Sequence, residues 1–174
     1  EAATHICKHN PNVIWMICGN DARIYDQLPV HRDNKYMQEG VPPEQWPQII
    51  KTFDIGVAPL FGIYDQRRSW IKSLEYGLSG TPWVATTGEP YRDHLGLGIQ
   101  LINSPVAWES AIESVINNLE KEQALAEQRV QLYQQWFVDA QLDQIAKVFN
   151  NIVANRNIEY GRLPGIHHVS KGKS

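Results

Sequence analysis

Apolar residues in this chain fall into two kinds of pattern. Short continuous runs lie at Val13 to Cys18 and at Asp54 to Leu60, with another leading into Thr86, each bounded by polar or turn-forming residues. Such runs predict strands buried on both faces, as in a parallel sheet. Weaker strand signals stand at Lys35 to Gln38, ended by Gly40, and at Gly98 to Ile102. Between them the spacing becomes helical. Glu1 to His9 reads as the last turns of a helix stopped by Asn10-Pro11. Trp46, Ile49, Ile50 and Phe53 line one side of a helix predicted over Glu44 to Phe53, after the paired prolines 42 and 43. A further helix is predicted from Ser69, and a short one follows Gly88-Glu89-Pro90-Tyr91.

From Pro105 onward three apolar stripes succeed one another: Ile112, Val115, Ile116 and Leu119; then Ala126, Val130, Tyr133 and Phe137; then Leu142, Ile145, Phe149, Ile152 and Val153. These are read as helices packing on the sheet. The alternation of strands and helices predicts an α/β fold, a parallel sheet with helices on both faces followed by C-terminal helices. Residues 1–155 form the expected domain. Residues 156–174 have no periodicity and are read as a flexible or loosely docked tail.

Composition narrows the function classes. With 174 residues, 43% of them hydrophobic, the chain suits one domain with a real core. A formal charge of -3 gives no reason to expect nucleic acid or an anionic membrane as partner. Cys7 and Cys18 are the only cysteines and have no C-x-x-C spacing, which points to a reduced, cytoplasmic protein without a disulfide framework or zinc knuckle. No apolar run is long enough to span a bilayer, so no transmembrane segment is expected. His5 and His9 are four apart on a helix but lack a third ligand in sequence, and they are read as a surface pair. Ser69 and Lys72 fit the S-x-x-K pattern of acyl-enzymes, yet S-D-N and K-T-G companions are absent. No G-x-G-x-x-G follows the first strand, which disfavours a dinucleotide oxidoreductase.

The residues richest in chemistry lie between Asp54 and Thr86. Here a strand feeds a loop, and the loop feeds a helix. A helix N-terminus beyond the carboxyl end of a parallel strand is where open α/β sheets hold phosphorylated ligands, because unpaired N–H groups and the helix dipole favour an anion. Arg67 and Arg68 precede the helix, and Ser69, Lys72, Glu75 and Tyr76 are spaced to share one face. Cations and amides suit a diphosphate, and a carboxylate further along suits ribose hydroxyls. The plainer alternative is that Arg67 and Arg68 are solvated or pair with Asp65, while Lys72 and Glu75 form an ordinary helix ion pair.

The run from Asp54 to Pro59, then Ser69, Lys72, Glu75, Gly80, Pro82, Val84 and Ala85, resembles the donor-binding half of the group 1 family of retaining, nucleotide-sugar-dependent glycosyltransferases with the GT-B fold. The resemblance covers residues 12 to about 118. It implies a Rossmann-like domain, one half of a GT-B fold, binding a nucleotide-diphosphate-sugar as substrate with no metal and no further cofactor. It also implies an N-terminal acceptor-binding domain as partner, and a first strand ahead of residue 1, so that the isolated chain would not transfer sugar. Glu75 matches the second glutamate of the family's E-x7-E motif, whose implied role is to bind the donor ribose, with Lys72 and the amides near Ser69 facing the diphosphate. The first glutamate is expected eight residues earlier, where this chain has Arg67; Asp65 is the nearest acid. No residue is assigned as catalytic. Two further readings stand beside this one: an epimerase or phosphorylase on the same fold, and a non-catalytic sugar-nucleotide or protein-binding module.

Overall fold

The computed structural model describes residues 1–154; the predicted tail lies outside them. The chain divides into two compact units, Glu1–Gln134 and Gln135–Ser174. In the first, α1 (Ala2–His9), β1 (Trp15–Cys18), α2 (Arg23–Gln27) and β2 (Lys35–Gln38) are followed by α3 (Trp46–Ile50), β3 (Gly56–Ala58) and α4 (Gly62–Asp65). Then come α5 (Ile71–Leu78), β4 (Trp83–Thr86), a 3-10 turn over Glu89–His94, β5 (Ile99–Leu101), α6 (Pro105–Asn117) and α7 (Leu119–Tyr133). The second unit holds α8 (Val138–Ala154), on which Leu142, Phe149 and Ile152 are exposed.

Among the described residues all strand pairs are parallel. β1 pairs with β2, and β3, β4 and β5 form a second sheet in that order. The fold is therefore α/β, with parallel sheets flanked by helices in a Rossmann-like arrangement. Alternation along β4 divides the core in two. Val84 points into a cluster with Ile6 of α1 and Ile112 and Val115 of α6. Trp83 and Ala85 point the other way, into a cluster with Ile50 of α3 and Tyr76 of α5. All four residues of β4 are buried, as expected for a central parallel strand.

The first apolar run departs from the sequence expectation. Val13 to Cys18 is predicted to be buried on both faces, yet Ile14 is 61% and Met16 38% exposed. The reason is topological: among the described residues β1 has a ladder partner on one edge only, and its other side meets a cavity. β3 is shorter than the run from Asp54 to Leu60, because Pro59 has no N–H for the ladder.

Local chemistry sets the element ends. α5 stops in a Schellman turn, with Thr81 N–H bonding the Tyr76 carbonyl at 3.0 Å and Gly80 N–H the Gly77 carbonyl at 3.2 Å. Gly80 has φ +69°, which glycine adopts without a Cβ penalty. α6 opens with Ser104, whose Oγ accepts the Ala107 N–H at 3.2 Å, and Pro105 follows in the first turn. Ser104→Ala is expected to cost about 1 kcal/mol in urea denaturation, and a loss near zero would show that the cap contributes nothing.

Candidate functional site

The loop after β3 is tied back to the sheet: Leu60 N–H donates to the Thr86 hydroxyl at the end of β4, 2.9 Å away. One helical turn, α4, follows. The Asp65 carboxylate accepts the Phe61 N–H at 2.7 Å, a reach-back contact that closes this turn. Arg68 pairs with Asp65 at 3.5 Å, and Lys72 with Glu75 at 2.9 Å. The arrangement thus contains both ion pairs of the plainer sequence reading. Arg67 and Ser69 are exposed, and their side chains have no hydrogen-bond or ion-pair partner among the described residues.

The helix begins at Ile71, two positions after Ser69, so Ser69 lies in the loop and not on the helical face. Trp70 occupies the cap position without a side-chain hydrogen bond to the first turn. Lys72 and Glu75 share the outward side. Tyr76 turns inward, buried against β3, with its hydroxyl 3.3 Å from the Val57 carbonyl. That separates Tyr76 from the face the spacing assigned it to.

Lys72 holds a definite place in the fold. Its ammonium lies 5.0 Å from the centre of the Trp46 ring. Its charge also acts on Cys18, the last residue of β1, partly offsetting the burial that raises the Cys18 thiol's pKa. The cation therefore sits near the carboxyl ends of the strands. There the chain reverses direction between sheets, β1 leading outward to β2 and β3 leading through β4 to β5. Such a reversal point is where open α/β sheets form their binding crevice. Both ion pairs are at the surface, where such pairs are worth at most about 1 kcal/mol. An anion or a polyol can displace them at little cost.

Directly beneath this surface lies a polar group that the sequence pattern did not reveal. His94, fully buried, has Nδ1 2.6 Å from the Ser73 hydroxyl, which also donates to the Trp70 carbonyl at 2.8 Å. One hydroxyl hydrogen cannot serve both, so Nδ1–H donates to Ser73. The ring stacks obliquely on Trp70 and meets Tyr133 edge-on. Burial pushes the His94 pKa down, against a smaller opposing effect from Asp93. The neutral imidazole thereby fixes the start of α5 from the inside. Hydrophobic periodicity passes over a histidine in a 3-10 turn; the one local signal is Ser73, a polar residue on the inward side of an amphipathic helix.

The helix-borne histidines find acidic neighbours instead of a metal ligand set in sequence. His5 lies 3.2 Å from Glu109 and His9 3.2 Å from Glu113, joining α1 to α6. Ligand atoms of His9, Glu109 and Glu113 lie within 4.8 Å of one another. No described helix is long and apolar enough to cross a membrane. No protein family matches the chain, and no curated protein matches it.

Proposed function

We propose that this chain is the nucleotide-sugar-binding domain of a retaining glycosyltransferase of the GT-B class, with the donor diphosphate at the N-terminus of α5. The observation that carries the reading is the presentation of Lys72 and Glu75 together, outward, beside the strand ends. Other residues of the resemblance have duties in the fold: Gly80 closes the Schellman turn, the Pro82 carbonyl accepts the Gly56 N–H at 2.8 Å, and Val84 and Ala85 fill the core. Lys72 and Glu75 have only surface contacts, their own ion pair and the Lys72 ammonium over the Trp46 ring, each worth at most about 1 kcal/mol. Residues that stability does not require are the better indicators of a ligand.

In this reading the Lys72–Glu75 pair opens when donor arrives. Lys72, the first amides of α5 and the flanking Arg67 and Arg68 take the diphosphate, and their charge stabilises it as leaving group. Glu75 accepts hydrogen bonds from the ribose. Asp65, held by Phe61 and Arg68, stands nearest to where sugar hydroxyls would lie. The acceptor would bind to a separate N-terminal domain, and the reaction proceeds in the cytoplasm.

Titration of the chain with UDP, GDP and ADP, followed by calorimetry, tests this. Lys72→Ala is expected to weaken binding of one of them about tenfold or more, the loss typical of a charged hydrogen bond. Glu75→Ala should weaken that nucleotide but leave inorganic pyrophosphate unchanged. Binding indifferent to both substitutions would end the proposal. Arg67, an arginine where the family carries an acid, favours a second reading, a sugar-nucleotide-binding module without catalysis. Slow donor hydrolysis by the full-length protein distinguishes the transferase from the module.

A further inference from the structure

On the Val84 side of the fold, α1 and α6 pack together and bring four side chains into a ladder. His5 and His9 stand four residues apart on α1, and Glu109 and Glu113 four apart on α6. Four-residue steps return to one side of a helix, so each pair forms a short column. The columns meet in register: His5 Nδ1 lies 3.2 Å from Glu109 Oε2, and His9 Nδ1 lies 3.2 Å from Glu113 Oε1. His9 also faces the other rung, since its ligand atom and those of Glu109 and Glu113 lie within 4.8 Å of one another. The core holds the columns in place. Ile6, Trp108 and Ile112, the sequence neighbours of His5, Glu109 and Glu113, are buried together in the cluster around Val84.

Separate His–Glu pairs require each imidazole to meet only its own carboxylate. Here two carboxylates converge on one imidazole. Like charges one turn apart weaken a helix, and among the described residues neither Glu109 nor Glu113 pairs with a lysine or arginine. A divalent cation between them removes that repulsion. Imidazole nitrogen with carboxylate oxygen favours a borderline transition ion such as zinc, cobalt or nickel over calcium and magnesium, which take oxygen ligands. A tetrahedral ion with bonds of about 2.0–2.2 Å sets its ligands roughly 3.4 Å apart. The 3.2 Å between His9 and Glu113 already matches that spacing. The Glu109 carboxylate, part-exposed at the surface, closes the rest by side-chain rotation.

We infer that His9, Glu109 and Glu113 form a binding site for a divalent transition-metal ion of the zinc type. His5 is a positioning residue: its ring N–H holds Glu109, as groups hydrogen-bonded to metal ligands do. The ion takes the place of the proton between His9 Nδ1 and Glu113, the imidazole keeps a hydrogen on Nε2, and the fourth position is left to water. Once bound, the ion clamps α1 to α6. α5 packs on the opposite side of β4, with Trp83 and Ala85, so this site is separate from Lys72 and Glu75. The inference stands whether or not the chain binds nucleotide sugars.

The test uses the whole chain without an affinity tag, titrated with zinc chloride by calorimetry and melted with and without the metal. Zinc at about a hundredfold excess over its Kd is expected to raise Tm by about 5 °C or more. His9→Ala and Glu113→Gln should each weaken zinc by about a hundredfold, and His5→Ala by about tenfold, with part regained in His5→Gln, which keeps an N–H donor. The Tm shift is read within each variant, so a change in basal stability does not enter. His31→Ala is the control: His31 is an exposed histidine 3.3 Å from Asp33, and its loss should leave zinc binding unchanged. Equal Kd for wild type, His9→Ala and Glu113→Gln overturns the inference, as does the absence of saturable binding below about 100 μM zinc. Displacement of zinc by equimolar magnesium or calcium overturns it too, because carboxylate charge alone then holds the ion.

Discussion

Gly77→Ala is expected to destabilise the protein by about 2 kcal/mol or more, although alanine is the better helix former by about 1 kcal/mol. Gly77 lies on the buried side of α5. A Cβ there would come within 2.0 Å of the Tyr133 ring on α7. That ring cannot step aside cheaply. It is 1% exposed, its hydroxyl accepts the Trp83 indole N–H at 2.8 Å, and its face meets the edge-on contact with His94. The added methyl must therefore push α5 away from α7, and the strain falls on the element that carries Lys72 and Glu75. Urea denaturation of Gly77→Ala, Tyr133→Leu and the double variant checks the mechanism. The double variant should lose less than the sum of the two, because the smaller side chain leaves room for the methyl. A stabilised Gly77→Ala would mean that helix propensity outweighs packing here.

His94→Ala should cost about 3 kcal/mol, combining a cavity with the loss of the Ser73 hydroxyl's buried partner. The same residue gives stability a pH dependence whose sign is fixed. Burial lowers the folded pKa below the ordinary value near 6.5, so between the two values the unfolded chain binds the proton and the folded one does not. The stability that His94 contributes is present above about pH 6.5 and is lost as pH falls through the folded pKa. Denaturation measured at pH 7.5 and 5.5 should show wild type losing more than His94→Gln, which keeps a polar side chain but does not titrate. Equal losses in the two proteins would mean that His94 takes up no proton on unfolding.

These two residues also show where sequence reading succeeds and where it stops. Patterns set by solvent exclusion were legible in part: the run ending at Thr86 is the wholly buried β4, and Ile112, Val115, Ala126 and Tyr133 of the first two stripes lie inside, whereas Phe137 and the third stripe, Leu142, Ile145, Phe149, Ile152 and Val153, are exposed and do not pack as expected. Val13 to Cys18 was legible as a strand but not in its burial, because burial depends on neighbours on both edges and a run of apolar residues says nothing of which strands adjoin it. α2, five residues with no buried side chain, carries no stripe to read. At the candidate site, spacing put Lys72 and Glu75 side by side. It could not show that Tyr76 turns inward: Lys72 and Tyr76 are only about 40° apart around the helix, and which of them meets the sheet is decided by tertiary packing. Nor could it find His94, whose importance lies in contacts with Ser73, Trp70 and Tyr133 from separate elements.

The inward side of α5 has a consequence for the entropy of recognition. Ser73, Tyr76 and Gly77 are buried, so the backbone beneath Lys72 and Glu75 is already ordered before any ligand arrives. Engaging these two groups immobilises side chains only, about 0.5–1.5 kcal/mol each. Arg67 and Arg68, exposed on the loop ahead of the helix, lack that buried anchorage. Recruiting them must also restrict backbone, at about 1–2 kcal/mol per residue. For a donor bound as proposed, affinity would be set mainly by the helix pair, with the arginines as adjustable additions.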